Sequence, residues 1–326
     1  TAPTNIILVF VKTVPDQFVC AHPALAVTIH APLMLQAVVG LEAATIAQAF
    51  LVSPSGMAQR LVRAKARIKS LGLQFEEPEA RALPQRLAAV LEGIYAAYSI
   101  GTSAAADAPP AGLLAESVFL AQLVVKLQPA SAEAWGLLAL LLYCEARRPA
   151  QFDAQGGFVP LTRQDTGQWD HALLQEAERC LRRAAALRSP GPLQTEAAIQ
   201  SAHCQRAFTG RTPWRAIAHL YGTLLAQAPT TGARIGQAVA LAEAGDAPGG
   251  LTLLQAIETQ EIAQHQSYWA AAAHLHAACG QARQGQAARA RAIGLTMDPR
   301  VRAWLQAGVG PATATPCQPP LPPSSP

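Results

Sequence analysis

Aromatic rings and charges are both scarce in this sequence. Phe, Trp and Tyr make up 6% of the 326 residues, and Asp, Glu, Lys and Arg together only 14%. The aromatic residues that favour strands are therefore thin, while Ala and Leu, which head the helix-propensity ranking, dominate a hydrophobic fraction of 51%. The composition predicts an all-α fold, and the length is enough for two domains that each bury a core. Long apolar runs are lacking too. The strongest, IILVFV from Ile6 to Val11, has six residues, against the ~20 that span a bilayer, and no cleavage-site pattern follows it. No membrane contact is expected. No C-x-x-C pair occurs among the six cysteines (Cys20, Cys144, Cys180, Cys204, Cys279, Cys317). Without a secretory signal, they are expected to be reduced thiols of a cytoplasmic protein.

Catalytic and ligand-binding signatures are equally missing. DAQGG, from Asp153 to Gly157, reads as a turn rather than a phosphate loop, and GTSAA near Ser103 does not satisfy G-x-S-x-G. Cys20 and His22 have no second pair at zinc spacing. His274 and His276 are two apart, so a helix points them to different faces. Asp153, Asp165 and Asp170 are expected to serve turns and the N-cap of the helix after Trp169. No active site, metal or cofactor is expected.

What the chain does have is a local imbalance of charge. From Arg60 to Lys69 there are five cations (Arg60, Arg63, Lys65, Arg67, Lys69) and no carboxylate, in a chain whose net charge is only +4. Glu76, Glu77 and Glu79 then reverse the sign. A basic stripe on a mildly basic protein points to a nucleic-acid contact.

The stripe sits in a compact helical block, 21–71, that follows an unassigned lead-in, 1–20. Three helices are predicted there. The first, Ala31 to Val39, carries Pro32 in its first turn; the second runs from Glu42 to Phe50. In the third, Pro54 to Ser70, Ser53 is the N-cap and Pro54 takes the first helical position. Met57, Leu61, Ala64 and Ile68 form its inward stripe, and Gly56, Arg60, Arg63 and Arg67 a second one, with Gln59 at its border. A short helix, a brief turn and a longer basic helix make a helix-turn-helix, which places the start of its second helix in the major groove and its later cations on phosphate.

After a Pro-punctuated linker, 72–84, helical segments fill 85–307, and a Pro/Ser-rich tail, 308–326, is expected to be disordered. With Trp269 placed as a tetratricopeptide Trp, small residues fall where the repeat wants them at Ala272, Ala273, Gly285 and Ala292, whereas His276 and Arg289 fit poorly. Trp135, Leu138, Ala139 and Leu142 repeat the first helix of that pattern. A stack of helical hairpins follows.

The stretch GLEAATIAQAFLVSPSGMAQRLVRAKARI resembles region 4 of bacterial RNA polymerase sigma factors of the extracytoplasmic-function (ECF) type. CAHPAL, PLMLQAVVGL, LPQRLAAVLEGIYAAYSIG, EAWGLLALLLYCEARRPA, LTRQDTGQWD and RAIGLTMDPRVRAWL run in the order of the subgroup with a C-terminal tetratricopeptide-like extension, over about residues 18–307. The resemblance implies a promoter-recognition module that reads the −35 element of promoter DNA and packs on the β-flap of the RNA polymerase core. In it Ser55, Gly56, Gln59 and Arg60 match the base-reading start of the recognition helix, and Arg63 and Arg67 its phosphate-facing continuation. Ala58 stands where many relatives carry a basic residue, and Thr45 where they carry a carboxylate. The extension is expected to regulate the module, with a regulatory protein as its partner. Nothing here resembles region 2, so the chain is expected to be an N-terminally truncated sigma factor. The alternative is a protein-interaction scaffold with a vestigial DNA-binding domain.

Overall fold

The computed structural model describes residues 20–50, 52–72, 83–102, 112–258 and 262–308. Nearly all of the lead-in, most of the linker with Glu76, Glu77 and Glu79, and the tail from 309 lie outside the described residues. The described residues form an all-α fold, and the only β pairing among them is an isolated antiparallel bridge between Phe152 and Phe158. None of the described helices is long and apolar enough to cross a membrane. The chain divides into two compact units, one reaching Ala121 and the other starting at Gln122.

The first unit holds α1 (Val27–Ala37), α2 (Ala43–Ala49), α3 (Pro54–Ser70), α4 (Leu83–Thr102) and the start of α5 (Leu113–Leu127). Helix α1 begins four residues before the predicted Ala31, so Pro32 falls inside the helix rather than in its first turn. Pro32 has no N–H to give the Thr28 carbonyl. The helix survives because Ile29 through Leu35 are all buried, and tertiary packing, not propensity, holds it. Around it gather Ile46 and Ala47 from α2, Met57, Leu61 and Ala64 from α3, and Val90, Leu91, Ile94, Ala97 and Tyr98 from α4. Helix α4 lies so close to α1 that a Cβ on Gly93 would stand 2.9 Å from Met34 Sδ. The domain boundary expected between 84 and 85 is therefore too early. The Pro- and Glu-rich linker joins two helices of one core, and α4 belongs with the helix-turn-helix rather than with the repeats.

The second unit is a stack of helical hairpins: α6 (Ala132–Arg147) with α7 (His171–Ala186), α8 (Pro192–Cys204) with α10 (Trp214–Gln227), α11 (Thr231–Glu243) with α12 (Ala247–Gln255), and α13 (Gln266–Ala278) with α14 (Ala282–Leu295). The short α9 (Arg206–Thr209) follows α8, and α15 (Pro299–Gln306) packs on α14. In the last hairpin Ala272, Ala273 and Ala292 are buried, as their small size predicts. Helix α6 is buried on nearly every side and approaches α8 closely. A Cβ on Gly136 would lie 2.7 Å from the Gln194 backbone nitrogen. The stretch from Pro192 to Thr209 is two helices, α8 and α9, broken at Gln205.

Candidate nucleic-acid interface

Helix α3 starts where its sequence says it should. Ser53 has extended backbone, its Oγ accepts the Gly56 N–H at 3.2 Å, and Pro54 occupies the first turn. Upstream, the Val52 N–H donates to the Ala47 carbonyl at 3.0 Å and closes the end of α2. Helices α2 and α3 pack together and on α1. Met57, Leu61 and Ala64 point into this core and Ile68 is half-buried, so the predicted inward stripe is the real one.

The predicted site residues lie outside that inward stripe: Ser55 and Gln59 face away from the core, and Gly56, Arg60, Arg63 and Arg67 run along one flank, about 60–120° round from Met57. Ser55, Gln59, Arg60, Arg63 and Arg67 are exposed, and Gly56 is half-buried on the flank. Gly56 has a local duty: a Cβ there would stand 2.8 Å from Ser53 Oγ and push into the cap. Its amide is already engaged, which removes it as a donor to a phosphate. Arg63 Nε reaches back to the Gln59 carbonyl at 3.4 Å, so its guanidinium lies along the helix. Among the described residues, no carboxylate pairs with Arg60, Arg63, Lys65, Arg67 or Lys69. Arg67 and Lys69 also lie in the last turn, where they favour the helix dipole. That is a structural use for two of the five; Arg63 has its bond to the Gln59 carbonyl, and no carboxylate holds Arg60 or Lys65 among the described residues.

One residue of this face was missed in the charge pattern. Val62 is 67% exposed and, at about 100° per residue, lies about 140° round from Met57, on the outermost strip with Ser55 and Gln59. An exposed aliphatic side chain among cations suits contact with a thymine methyl. The cap can be checked by itself. Ser53→Ala is expected to lower the stability of the first unit by about 1 kcal/mol, as a lower urea midpoint at unchanged slope. Gly56→Ala is expected to bring no gain in that midpoint, although alanine is the better helix former.

The groups set aside as structural have structural partners. Asp153 Oδ1 accepts from Gln155 and Gly157, Asp165 Oδ1 from Gly167, and Asp170 Oδ1 from Ala172 and Leu173 at the start of α7. His274 Nε2 meets Glu243 at 2.8 Å while His276 faces Gln281, so the two imidazoles are apart. Burial pushes the Cys180 thiol up to about 12, and Cys204 upward as well. Among the described residues no group of three or more His, Cys, Asp or Glu converges as metal ligands would. A less visible group is His203 in the second unit, which lies edge-on to Trp214 at 5.3 Å and lines a small cavity with Leu161, Ile217, Tyr221 and Val239. Burial first, then the nearby Arg147 and Arg206, push its imidazole down to about 3.

Residues 86–185, from α4 to α7, match a family model described as a family of unknown function, DUF6596. An uncharacterized protein of Rhizobium meliloti (strain 1021) is 35% identical over 291 residues, which cover 89% of this chain and 69% of that protein. No solved structure matches the chain. With that identity over most of both sequences, the chain belongs to the same family as the Rhizobium meliloti protein and carries the DUF6596 segment within it.

Proposed function

We propose that this protein is the promoter-reading part of an ECF-type sigma factor. Helix α3 enters the major groove at the −35 element, the first unit packs on the β-flap of the polymerase core, and the helical-repeat unit regulates the whole. The observation that carries the reading is the outer face of α3. Arg60 and Arg63 stand exposed, without a carboxylate partner among the described residues, on a capped helix that a buried stripe fixes in a helix-turn-helix. Such a face costs the fold nothing to satisfy and offers phosphates and base edges what they bind.

The test is a gel shift with duplexes enriched from a random pool by the full chain. Arg60→Ala is expected to weaken the enriched duplex by ~1–3 kcal/mol and relax its sequence preference. Arg67→Ala is expected to weaken all duplexes alike and to lower the slope of binding against salt by about one unit. If both variants bind enriched and random DNA as the wild type does, α3 is not a recognition helix.

A second reading draws on the family match, which spans 86–185 and leaves α3 outside. In it the chain is a protein-interaction scaffold and the helix-turn-helix is vestigial. That reading expects no enrichment from the pool and no salt-dependent duplex binding.

A further inference from the structure

We propose that the segment between α6 and α7 is a strap, fixed at its base and releasable at its tip, that ties the first hairpin of the second unit to its last helix. The base, around 159–169, is held by many bonds. Arg206 donates to the carbonyls of Leu161 at 3.0 Å, Thr162 at 2.8 Å and Gln164 at 2.8 Å, and lies over the Trp169 ring at 5.3 Å. Trp169 Nε1 donates to Gln164 Oε1 at 3.2 Å, and Gln164 Nε2 to the Val159 carbonyl at 3.3 Å. Leu161 lines a small cavity together with His203, Trp214, Ile217, Tyr221 and Val239, which come from α8, α10 and α11.

The tip is built differently. Phe152 and Phe158 pair across an antiparallel bridge, with Val159 N–H on the Gln151 carbonyl at 2.9 Å and Asp153 organising the turn. Residues 153–156 are exposed, while Phe158 is buried. The tip meets α15 through two ring contacts: the Arg300 guanidinium lies 4.1 Å over Phe152, and Phe158 is edge-on to Trp304 at 5.8 Å and 77°. Asp298 aims Arg300, accepting from its Nε and its terminal nitrogen at 3.1 Å each. Helix α15 has its own hold on the stack, since Leu305 is buried with Ala270 and Ala292 and Arg302 donates to the Thr296 carbonyl at 2.7 Å. Released from the tip, α15 therefore stays tethered. The base is held by a network of hydrogen bonds, whereas the contacts that join the tip to α15 are a cation–π contact and an edge-on ring pair, so this seam is where the closed stack opens first.

A strap makes the two sides of the seam report on one another, because coupling between two sites is reciprocal. Hydrogen exchange on the full chain, read by mass spectrometry, tests this. Phe152→Leu, on the tip, and Arg300→Gln, on α15, are each expected to speed exchange by about fivefold, the worth of one cation–π contact. Each variant does so on both sides, at Gly157 and Val159 and across α15, with α10–α12 unchanged. The double variant is expected to exceed neither single variant. Phe158→Ala is expected to give a larger rise of the same pattern; should it fail to fold, the first two variants decide the matter. Exchange that rises only on the substituted side, or effects that add in the double variant, would mean two unrelated packing contacts and overturn the strap.

Discussion

Acidification from pH 7 to pH 4 is expected to cost the second unit about 2–3 kcal/mol through His203 alone. Its imidazole is pushed from 6.5 down to about 3 by burial and by the charges of Arg147 and Arg206. The unfolded chain therefore takes up a proton near 6.5 that the folded chain refuses until about 3. A depressed histidine gives stability that is complete above the unfolded value and is lost as the pH falls between the two. The slope is about 1.4 kcal/mol per pH unit, reduced in part by solvent screening, since His203 is only half-buried. Other groups titrate nearby with both signs. Burial raises the carboxyls of Glu92, Glu116 and Glu133, while hydrogen bonds from Tyr143 and Arg182 overcome burial and hold Glu178 below its ordinary range. The informative quantity is thus the difference between wild type and His203→Phe, a ring that keeps the edge-on contact with Trp214. Urea midpoints at pH 7 and pH 4 should separate widely for the wild type and much less for the variant. Equal separations would show that His203 is open to protonation in the folded state.

The same histidine illustrates what a sequence withholds. Of its neighbours only Arg206 is close in the chain, since Arg147 is distant and Trp214 belongs to α10. What the sequence shows well is local. Ser53-Pro54 announces a capped start, the spacing of Met57, Leu61 and Ala64 announces an inward face, and both stand in the structure as written. The outward face of α3 follows from the inward one by periodicity, so the candidate interface was legible almost entirely, apart from Val62. Charge drew the eye to the arginines and away from an exposed aliphatic that lies between them in sequence but beside Ser55 and Gln59 on the helix. The domain boundary was illegible for the opposite reason. Linker composition is a local signal, but α4 belongs to the first unit because Gly93 admits Met34, a contact made across the core. Pro32 misled in a related way, since a proline reads as a helix start while burial on every side of α1 lets the helix run through it. The strap is further still from view, for Phe152 and Arg300, in contact in the fold, are far apart in the sequence.

Removing the Glu133 carboxylate is expected to cost about 2–4 kcal/mol, because two amides lose their acceptor at once. Helix α8 begins with Gly191 as its N-cap, and glycine has no side chain to satisfy the first-turn donors. Glu133, projecting from α6, supplies both oxygens: Leu193 N–H donates to Oε2 at 2.9 Å and Gln194 N–H to Oε1 at 3.0 Å. One hairpin thus caps the next, and the repeat-to-repeat contact is polar at this end as well as close at Gly136. Glu133→Ala strands both donors; Glu133→Gln keeps one acceptor and turns an amide N–H toward the other donor, for an intermediate loss. Urea unfolding of the full chain should rank wild type above Glu133→Gln and Glu133→Ala last. The pH dependence carries the sign of burial. Burial lifts this carboxyl above its ordinary value although the two amides pull it down. The folded state therefore keeps its proton longer than the unfolded chain does, and the stability tied to it is lost as pH rises through the raised value. The gap between wild type and Glu133→Ala is accordingly expected to be wider at pH 4 than at pH 7, the reverse of the His203 effect. A gap that instead grows toward neutral pH would mean that the two amides and the helix terminus outweigh burial, and that Glu133 acts as a true anionic cap.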